Sequence, residues 1–219
     1  MSEQTRVRAD DPFGGRQPTI HEQRAGQPWD ASYLDGPAPW DVGQPQPAVA
    51  RLASEGAFSG TVLDAGCGTG DNALHIAALS VPVLGVDVAE TALSIAGKRA
   101  AERGLDAEFV LADALGLDGL GQTFLTVLDC ALFHVFRGRG AARVRGELGG
   151  RNRAWRALHL LCFGDAGTHI GPHPVAQRDL RGAFKPSSGW STASIDPDRL
   201  LSRFAPQGMP AWRARIERV

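Results

Sequence analysis

The stretch Val62-Leu63-Asp64-Ala65-Gly66-Cys67-Gly68-Thr69-Gly70 decides the reading of this chain. A short apolar run at 61–65 ends in glycines and passes into a helical pattern at 71–79. That order reads as strand, tight turn, helix. Glycine lets the backbone turn sharply and approach a ligand with no Cβ in the way. The N–H groups that open the following helix favour an electron-rich partner. Asp64 falls at the carboxyl edge of the expected sheet, where open α/β folds bind ligands. A carboxylate there suits a ligand with a positive group and repels a pyrophosphate.

Outward from this turn, strand and helix signals alternate. Apolar runs at 82–86, 107–111, 124–129 and 157–163 read as strands. Residues 47–55, 90–103 and 175–184 read as helices; Pro47 suits a first turn and Gly104 a C-cap. Strands separated by crossover segments predict a parallel sheet with right-handed connections, a Rossmann-like doubly wound α/β fold. Near the end, 190–195 and 212–218 read as two late strands. Residues 197–204 read as a helix between them, with Asp196 as N-cap.

Two nucleotide readings fit the glycine turn. Gly68, Gly70 and Ala73 satisfy G-x-G-x-x-A, and Asp87 lies 17 residues past Gly70, as in dinucleotide sites. A nicotinamide-dependent oxidoreductase is therefore open. Asp64 directly before the glycines, and Asp113 after the third strand, tilt the reading away from it. Asp87 can accept from a ribose diol in either case. Asp113 can accept from an adenine amino group, or simply cap the next turn.

VLDAGCGTG, Asp87 after GVD, and the Asp113-Ala114 pair together resemble the first three motifs of class I S-adenosylmethionine-dependent methyltransferases. The resemblance covers about residues 28–219. It implies a seven-stranded sheet in the order 3-2-1-4-5-7-6 with the last strand antiparallel. It implies that Asp64, Gly66, Cys67, Gly68 and Gly70 hold the methionine end of S-adenosylmethionine. Asp87 and Val88 would take the ribose, and Asp113 and Ala114 the adenine. Asp129 and Cys130, ending the fourth strand, complete the implied cofactor set. The segment Trp29-Asp30…Tyr33…Pro39-Trp40-Asp41-Val42-Gly43 is similar to the arm of thiopurine, thiol and halide methyltransferases, and of bacterial relatives acting on small aromatic or quinone-like hydroxyl compounds. By that likeness Trp40 lies against the cofactor, and an aromatic face beside a sulfonium is a cation–π contact.

His134 follows the fourth strand, where such enzymes meet the methyl acceptor. It is the candidate general base, since an unperturbed imidazole titrates near neutrality. The plainer reading is a histidine that shapes the pocket. An acceptor that arrives ionised needs alignment in a dry pocket rather than a base. The expected acceptor is a small molecule with a hydroxyl or thiol, most simply an aromatic one. Binding of cofactor without turnover is the other alternative.

Composition bounds these readings. The 219 residues suit one α/β domain with an extension. Net charge is −1, so a globally basic nucleic-acid binder is disfavoured. No apolar run reaches the roughly 18 residues of a membrane span, and no secretory signal opens the chain. Cys67, Cys130 and Cys162 are too few and too widely spaced for a disulfide framework, which points to a reducing, cytoplasmic setting. No metal site is expected from His21, His169 and His173, and His159 reads as structural. Pro172-His173-Pro174 reads as a lid over the acceptor or as a plain loop. Residues 1–27 are expected to be a disordered tail, 28–46 a lid arm and 47–219 the catalytic domain. Within it, 137–157 is rich in Arg, Gly and Ala and too poor in apolar positions to bury a helix face. It is open to three readings: a basic surface segment, a compensated shift of reading frame, or a repacked helix.

Overall fold

In the computed structural model, residues 11–13, 15–136, 146, 155–166 and 173–219 are described. Seven strands form one sheet: β1 (Val62–Ala65), β2 (Val83–Asp87), β3 (Ala107–Leu111), β4 (Thr126–Cys130), β5 (Ala157–Phe163), β6 (Trp190–Ser202) and β7 (Ala205–Arg218). Their order is β3-β2-β1-β4-β5-β7-β6, as the resemblance implies. The first five pair in parallel, and β7 runs antiparallel to both β5 and β6.

The central strands are short and apolar because both their faces are covered. Alternation sends Val62, Val83 and Leu128 to one face, beneath α2 (Pro47–Ser54) and α3 (Asp71–Ala77). Leu63, Val86, Val127, Leu158 and Leu160 go to the other, against Trp155, Phe184 and Trp190. The same rule places Asp64 on the α3 side and Asp129 on the opposite one. α4 (Glu90–Arg103) ends at Gly104, whose φ of 61° is the left-handed cap that the sequence signals. α5 (Gln177–Ala183) is shorter than the stretch expected over 175–184, because Val175 forms a bridge with Gly164 instead.

Two expectations are corrected. Residues 197–204 are not a helix. β6 and β7 are one long hairpin, paired from Trp190↔Arg218 to Ser202↔Ala205. Pro197 is tolerated because β6 is the sheet edge, where a missing N–H costs no ladder bond. Asp196 caps nothing; it accepts from Ser194 Oγ at 3.1 Å and pairs with Arg213 at 3.5 Å across the hairpin. Asp198 pairs with Arg213 at 3.2 Å and with Arg51 of α2 at 2.5 Å.

The second correction concerns the tail. Residues 20–25 are a helix, α1 (Ile20–Ala25), not disordered chain. Thr19 and Glu22 form a capping box: the Thr19 N–H donates to Glu22 Oε2 at 2.8 Å, and the Glu22 N–H donates to Thr19 Oγ1 at 3.4 Å. Glu22 is fully buried and takes a bidentate contact from Arg16 and the N–H of Trp29. A six-residue helix is too short to persist alone; this buried carboxylate ties it to the following 3-10 turn at Trp29–Tyr33. Most of the Arg/Gly/Ala-rich segment, and the stretch 167–172, lie outside the described residues. Trp155 at its end is buried in the core. No helix among the described residues is long and apolar enough to cross a membrane.

Candidate active site

The carboxyl ends of β1, β2, β3 and β4 open into one cavity of about 450 Å³. That is within the range of small-ligand sites. Gly66 and Gly68 turn the chain off β1 with φ of 73° and 54°, values that favour glycine. A Cβ at Gly68 would stand 3.2 Å from the Tyr33 hydroxyl, and one at Gly66 3.0 Å from Leu132. The turn is held from beneath: the Gly66 and Cys67 N–H groups donate to the Val86 carbonyl at 2.8 and 3.0 Å.

Asp87 ends β2. Its Oδ2 accepts from the Gly68 N–H at 2.8 Å and its Oδ1 from the Ala89 N–H at 2.9 Å. Burial pushes its carboxyl up, and these backbone donors oppose the push. Each oxygen keeps a lone pair for a ligand. Asp113 follows β3 and also lines the cavity, with Ala114 beside it. Its Oδ1 accepts from the Leu115 N–H at 2.9 Å, so it closes a local turn while its second oxygen stays uncommitted by that bond.

The N-terminal arm supplies an aromatic wall. Trp40 Nε1 donates to the Tyr33 hydroxyl at 2.8 Å. Trp29 packs edge-on to Trp40 at 5.1 Å, and His21 stacks on Trp29 at 4.4 Å. All four line the cavity, as does Arg16. The tip of the β6–β7 hairpin forms another side, with Leu200, Phe204 and Met209. It is fastened to the arm by Gln46, whose side chain donates to the Leu201 carbonyl at 3.1 Å and accepts from the Leu201 N–H at 2.8 Å. The Arg203 N–H adds a bond to the Pro39 carbonyl at 2.8 Å.

Of the residues singled out in the sequence, Trp40, Gly66, Cys67, Gly68, Asp87, Val88, Asp113, Ala114, Cys130 and His134 all line this cavity. Asp64, Gly70 and Asp129 do not; they stand one layer behind it. Gly70 precedes α3 with φ of 81°, and a Cβ there would meet Phe109 at 2.9 Å. Both Asp64 oxygens are buried and, among the described residues, meet no hydrogen bond of good geometry. Burial, reinforced by the charges of Asp87 and Asp129, pushes its carboxyl up to about 7, and the backbone N–H of Ala73 opposes the shift. Asp129 is likewise pushed up to about 7 by burial. Its Oδ1 accepts from the Leu132 and Phe133 N–H groups at 3.1 Å each, which shapes the turn that carries His134.

His134 is buried and stacked on Phe163 at 4.6 Å. Its Nδ1 accepts from the Phe163 N–H at 3.2 Å. Burial pushes the imidazole down to about 3, which disfavours its charged form at neutral pH. Burial pushes the thiols of Cys67 and Cys130 up, so neither is a ready thiolate nucleophile.

The sequence reading missed the hairpin tip, Gln46, Phe163, Arg16 and His21. For α1 a signal was present, the Thr19-x-x-Glu22 pattern of a capping box. For Gln46 there was none, since its partner lies 155 residues away.

Comparison with known proteins agrees with this geometry. A methyltransferase-domain family profile matches residues 62–148. The 2-heptyl-1-hydroxyquinolin-4(1H)-one methyltransferase of Mycobacteroides abscessus is 36% identical over 170 residues, 75% of this chain and 73% of that protein. A structure solved for the conversion of a disulfide bond into a thioacetal group during echinomycin biosynthesis superposes with a TM-score of 0.72 at 35% identity, covering 83% of this chain and 85% of that one. Magnesium protoporphyrin IX methyltransferase from Synechocystis PCC 6803, with bound S-adenosylhomocysteine, shares the fold with a TM-score of 0.63 at 22% identity over 78% and 80% of the two chains. The chain belongs to the S-adenosylmethionine-dependent methyltransferases. The oxidoreductase alternative is not favoured.

Proposed function

We propose that this chain methylates a hydroxyl or thiol on a small, flat aromatic molecule. One observation carries the reading: a single cavity joins the carboxylates of Asp87 and Asp113 to an apolar side formed by Leu132, Val135, Phe136, Phe163 and Met209. The polar side suits the cofactor's adenosine, with Asp87 on the ribose hydroxyls and Asp113 and Ala114 at the adenine. Val88 flanks the ribose. The Gly66–Cys67–Gly68 turn takes the methionine end. Asp64 faces that turn from behind as a buried carboxyl lacking a cationic partner, and a bound ammonium group would hold it in its charged form. Gly70 and Asp129 act indirectly, by setting the start of α3 and the turn after β4. Trp40 and Trp29 of the arm, residues 28–46, and Cys130 line the same cavity and would contact the cofactor.

When bound, S-adenosylmethionine supplies an electrophilic methyl group on a sulfonium, which the acceptor's lone pair displaces in line. The chain's own contribution is to align the acceptor and exclude water. The Mycobacteroides relative acts on a hydroxylated quinolinone, and the echinomycin structure concerns sulfur chemistry; both acceptor atoms fit an apolar, aromatic pocket. The three cysteines are free, which accords with a reducing cytoplasm. The near-neutral charge, −1 overall, accords with a small-molecule acceptor rather than a nucleic acid.

The test is calorimetric titration of S-adenosylhomocysteine into the chain and into Asp87→Ala. Losing the charged acceptor of two ribose hydrogen bonds should cost about 2–4 kcal/mol, roughly 30- to 1,000-fold in Kd. Equal affinity would remove Asp87 from the ribose site. Mass spectrometry of phenols and thiophenols incubated with S-adenosylmethionine then tests the acceptor class.

A further inference from the structure

β5 runs past the end of β4. β4 stops at Cys130, opposite Leu161, and the Ala131 N–H still donates to the Leu161 carbonyl at 2.8 Å. The next β5 amide on that side, the Phe163 N–H, has no strand residue to meet. A buried backbone donor must be paired, and His134 Nδ1 accepts it at 3.2 Å. This bond fixes the tautomer. The amide always carries its hydrogen, so Nδ1 is the bare nitrogen and the neutral ring holds its proton on Nε2. A proton on Nδ1 would set two N–H groups against each other and orphan the amide. Asp129, through the Leu132 and Phe133 N–H groups, and the Phe163 ring at 4.6 Å hold the imidazole in this pose. Among the described residues the Phe163 amide is the ring's one hydrogen-bond partner, and His134 lines the cavity.

Resting on the acceptor reading above, we propose that His134 is a fixed Nε2–H donor to the acceptor's nucleophilic atom, never its base, and that the chain methylates acceptors that arrive already ionised. An N–H donor binds an anionic oxygen or sulfur more strongly than a neutral hydroxyl or thiol. A neutral imidazole is a mild donor, so it orients the nucleophile without quenching it as an imidazolium would. The acceptor's proton goes to water before binding. In the cavity, the acceptor lone pair forms the bond to the methyl carbon as the carbon–sulfur bond breaks, and that electron pair returns to sulfur. The products are the methylated acceptor and a neutral thioether. Acidic phenols and aryl thiols meet this requirement; aliphatic alcohols do not. Burial, which holds the ring neutral to about 3 with no charged neighbour contributing, agrees with this role.

Two measurements test it. In ¹⁵N-histidine spectra, the signal lost in His134→Gln identifies the ring. It should remain the neutral Nε2–H form from pH 8 to 4.5; titration near 6.5, or an Nδ1–H form, would overturn the assignment. Glutamine can accept from Phe163 and donate to the cavity but cannot act as a base. His134→Gln should therefore keep methyl transfer to para-substituted phenols and thiophenols within about tenfold, while His134→Leu loses more than tenfold beyond that. A folded His134→Gln that loses more than about tenfold, and no less than His134→Leu, would overturn the donor role. Across the probe series, the pH midpoint of kcat/KM should follow the acceptor's own pKa. A midpoint that stays fixed across the series would refute the requirement for an ionised acceptor. If no probe is methylated, the acceptor class falls, and the spectra still decide the role of His134.

Discussion

Asp64 shows how a residue can be legible in type and illegible in state. Its place before the glycines makes it a candidate for the site, but only the fold shows that it stands behind the cavity lining with both oxygens buried. Asp64 and Asp129 are held protonated up to about 7 in the fold, whereas in the unfolded chain they ionise near ~3.9. Between those values the folded state binds more protons, so these two groups withdraw stability as pH rises from ~4 through ~7. His134 acts in the opposite sense. It stays neutral in the fold to about 3, while the unfolded ring protonates near ~6.5, so it withdraws stability as pH falls below ~6.5. Asp64→Asn removes one contribution and leaves the others. Without cofactor it should be more stable than the parent by up to about 4 kcal/mol at pH 8, and the gap should shrink to about 1 kcal/mol or less near pH 4.5, in urea unfolding. The same variant should bind S-adenosylhomocysteine more weakly, because the buried negative charge is gone. A stability difference that is the same at both pH values would show that Asp64 ionises normally in the fold.

At the scale of elements, sequence pattern succeeded where apolar residues run together and failed where they are interrupted. The runs 61–65 and 157–163 became strands because continuous apolar side chains fill both faces of a parallel sheet; 107–111 became the edge strand β3, with Val110 and Leu111 exposed, and its apolar run alone made it legible. The edge hairpin follows another logic. β6 alternates partly buried and exposed residues and carries Pro197 and two aspartates, which mimic a helix cap and first turn. What holds it is the ladder to β7 and the burial of Trp190, Leu200, Ala214 and Ile216, with the cross-strand pairs of Asp196 and Asp198 with Arg213, joined by Arg51 of α2, adding to it; no local pattern displays these long-range contacts. The hairpin tip is positioned in turn by Gln46. Gln46→Ala removes both bonds to the Leu201 backbone and should loosen Leu200, Phe204 and Met209 over the acceptor side. The expected result is faster amide exchange at 200–209 and a several-fold rise in acceptor KM. S-adenosylhomocysteine affinity should change less than about threefold, since Asp87 and the glycine turn are untouched. A larger loss of cofactor affinity than of acceptor affinity would show that the clamp serves the cofactor instead.

For the whole molecule, the strand order was legible through the family resemblance, which VLDAGCGTG, Asp87 and Asp113-Ala114 carry and which implies the order observed. The closure of the site was not, since it depends on contacts between the arm, the hairpin tip and the strand ends, which are far apart in the chain. Those contacts make cofactor binding a whole-molecule event. The glycine turn approaches Tyr33 of the arm, Tyr33 holds Trp40, and the arm holds the hairpin through Gln46 and Pro39. A ligand that fills the cavity binds only the folded chain, so it stabilises by RT ln(1 + [L]/Kd), about 2.7 kcal/mol at 100 times Kd. For a chain of this size each kcal/mol moves Tm by roughly 2–4 °C, so S-adenosylhomocysteine should raise Tm by about 5–11 °C. The rise should be larger at pH 8 than at pH 5.5. At the higher pH the unliganded fold bears the cost of ionising Asp64, which a bound ammonium group offsets, whereas at the lower pH the carboxyl is neutral and gains little from it. Asp64→Asn should abolish that pH dependence and leave a smaller, constant shift. A shift that is the same at both pH values in the parent chain would mean that Asp64 does not sense the ligand's charge, and the methionine end would then have to be placed elsewhere along the turn.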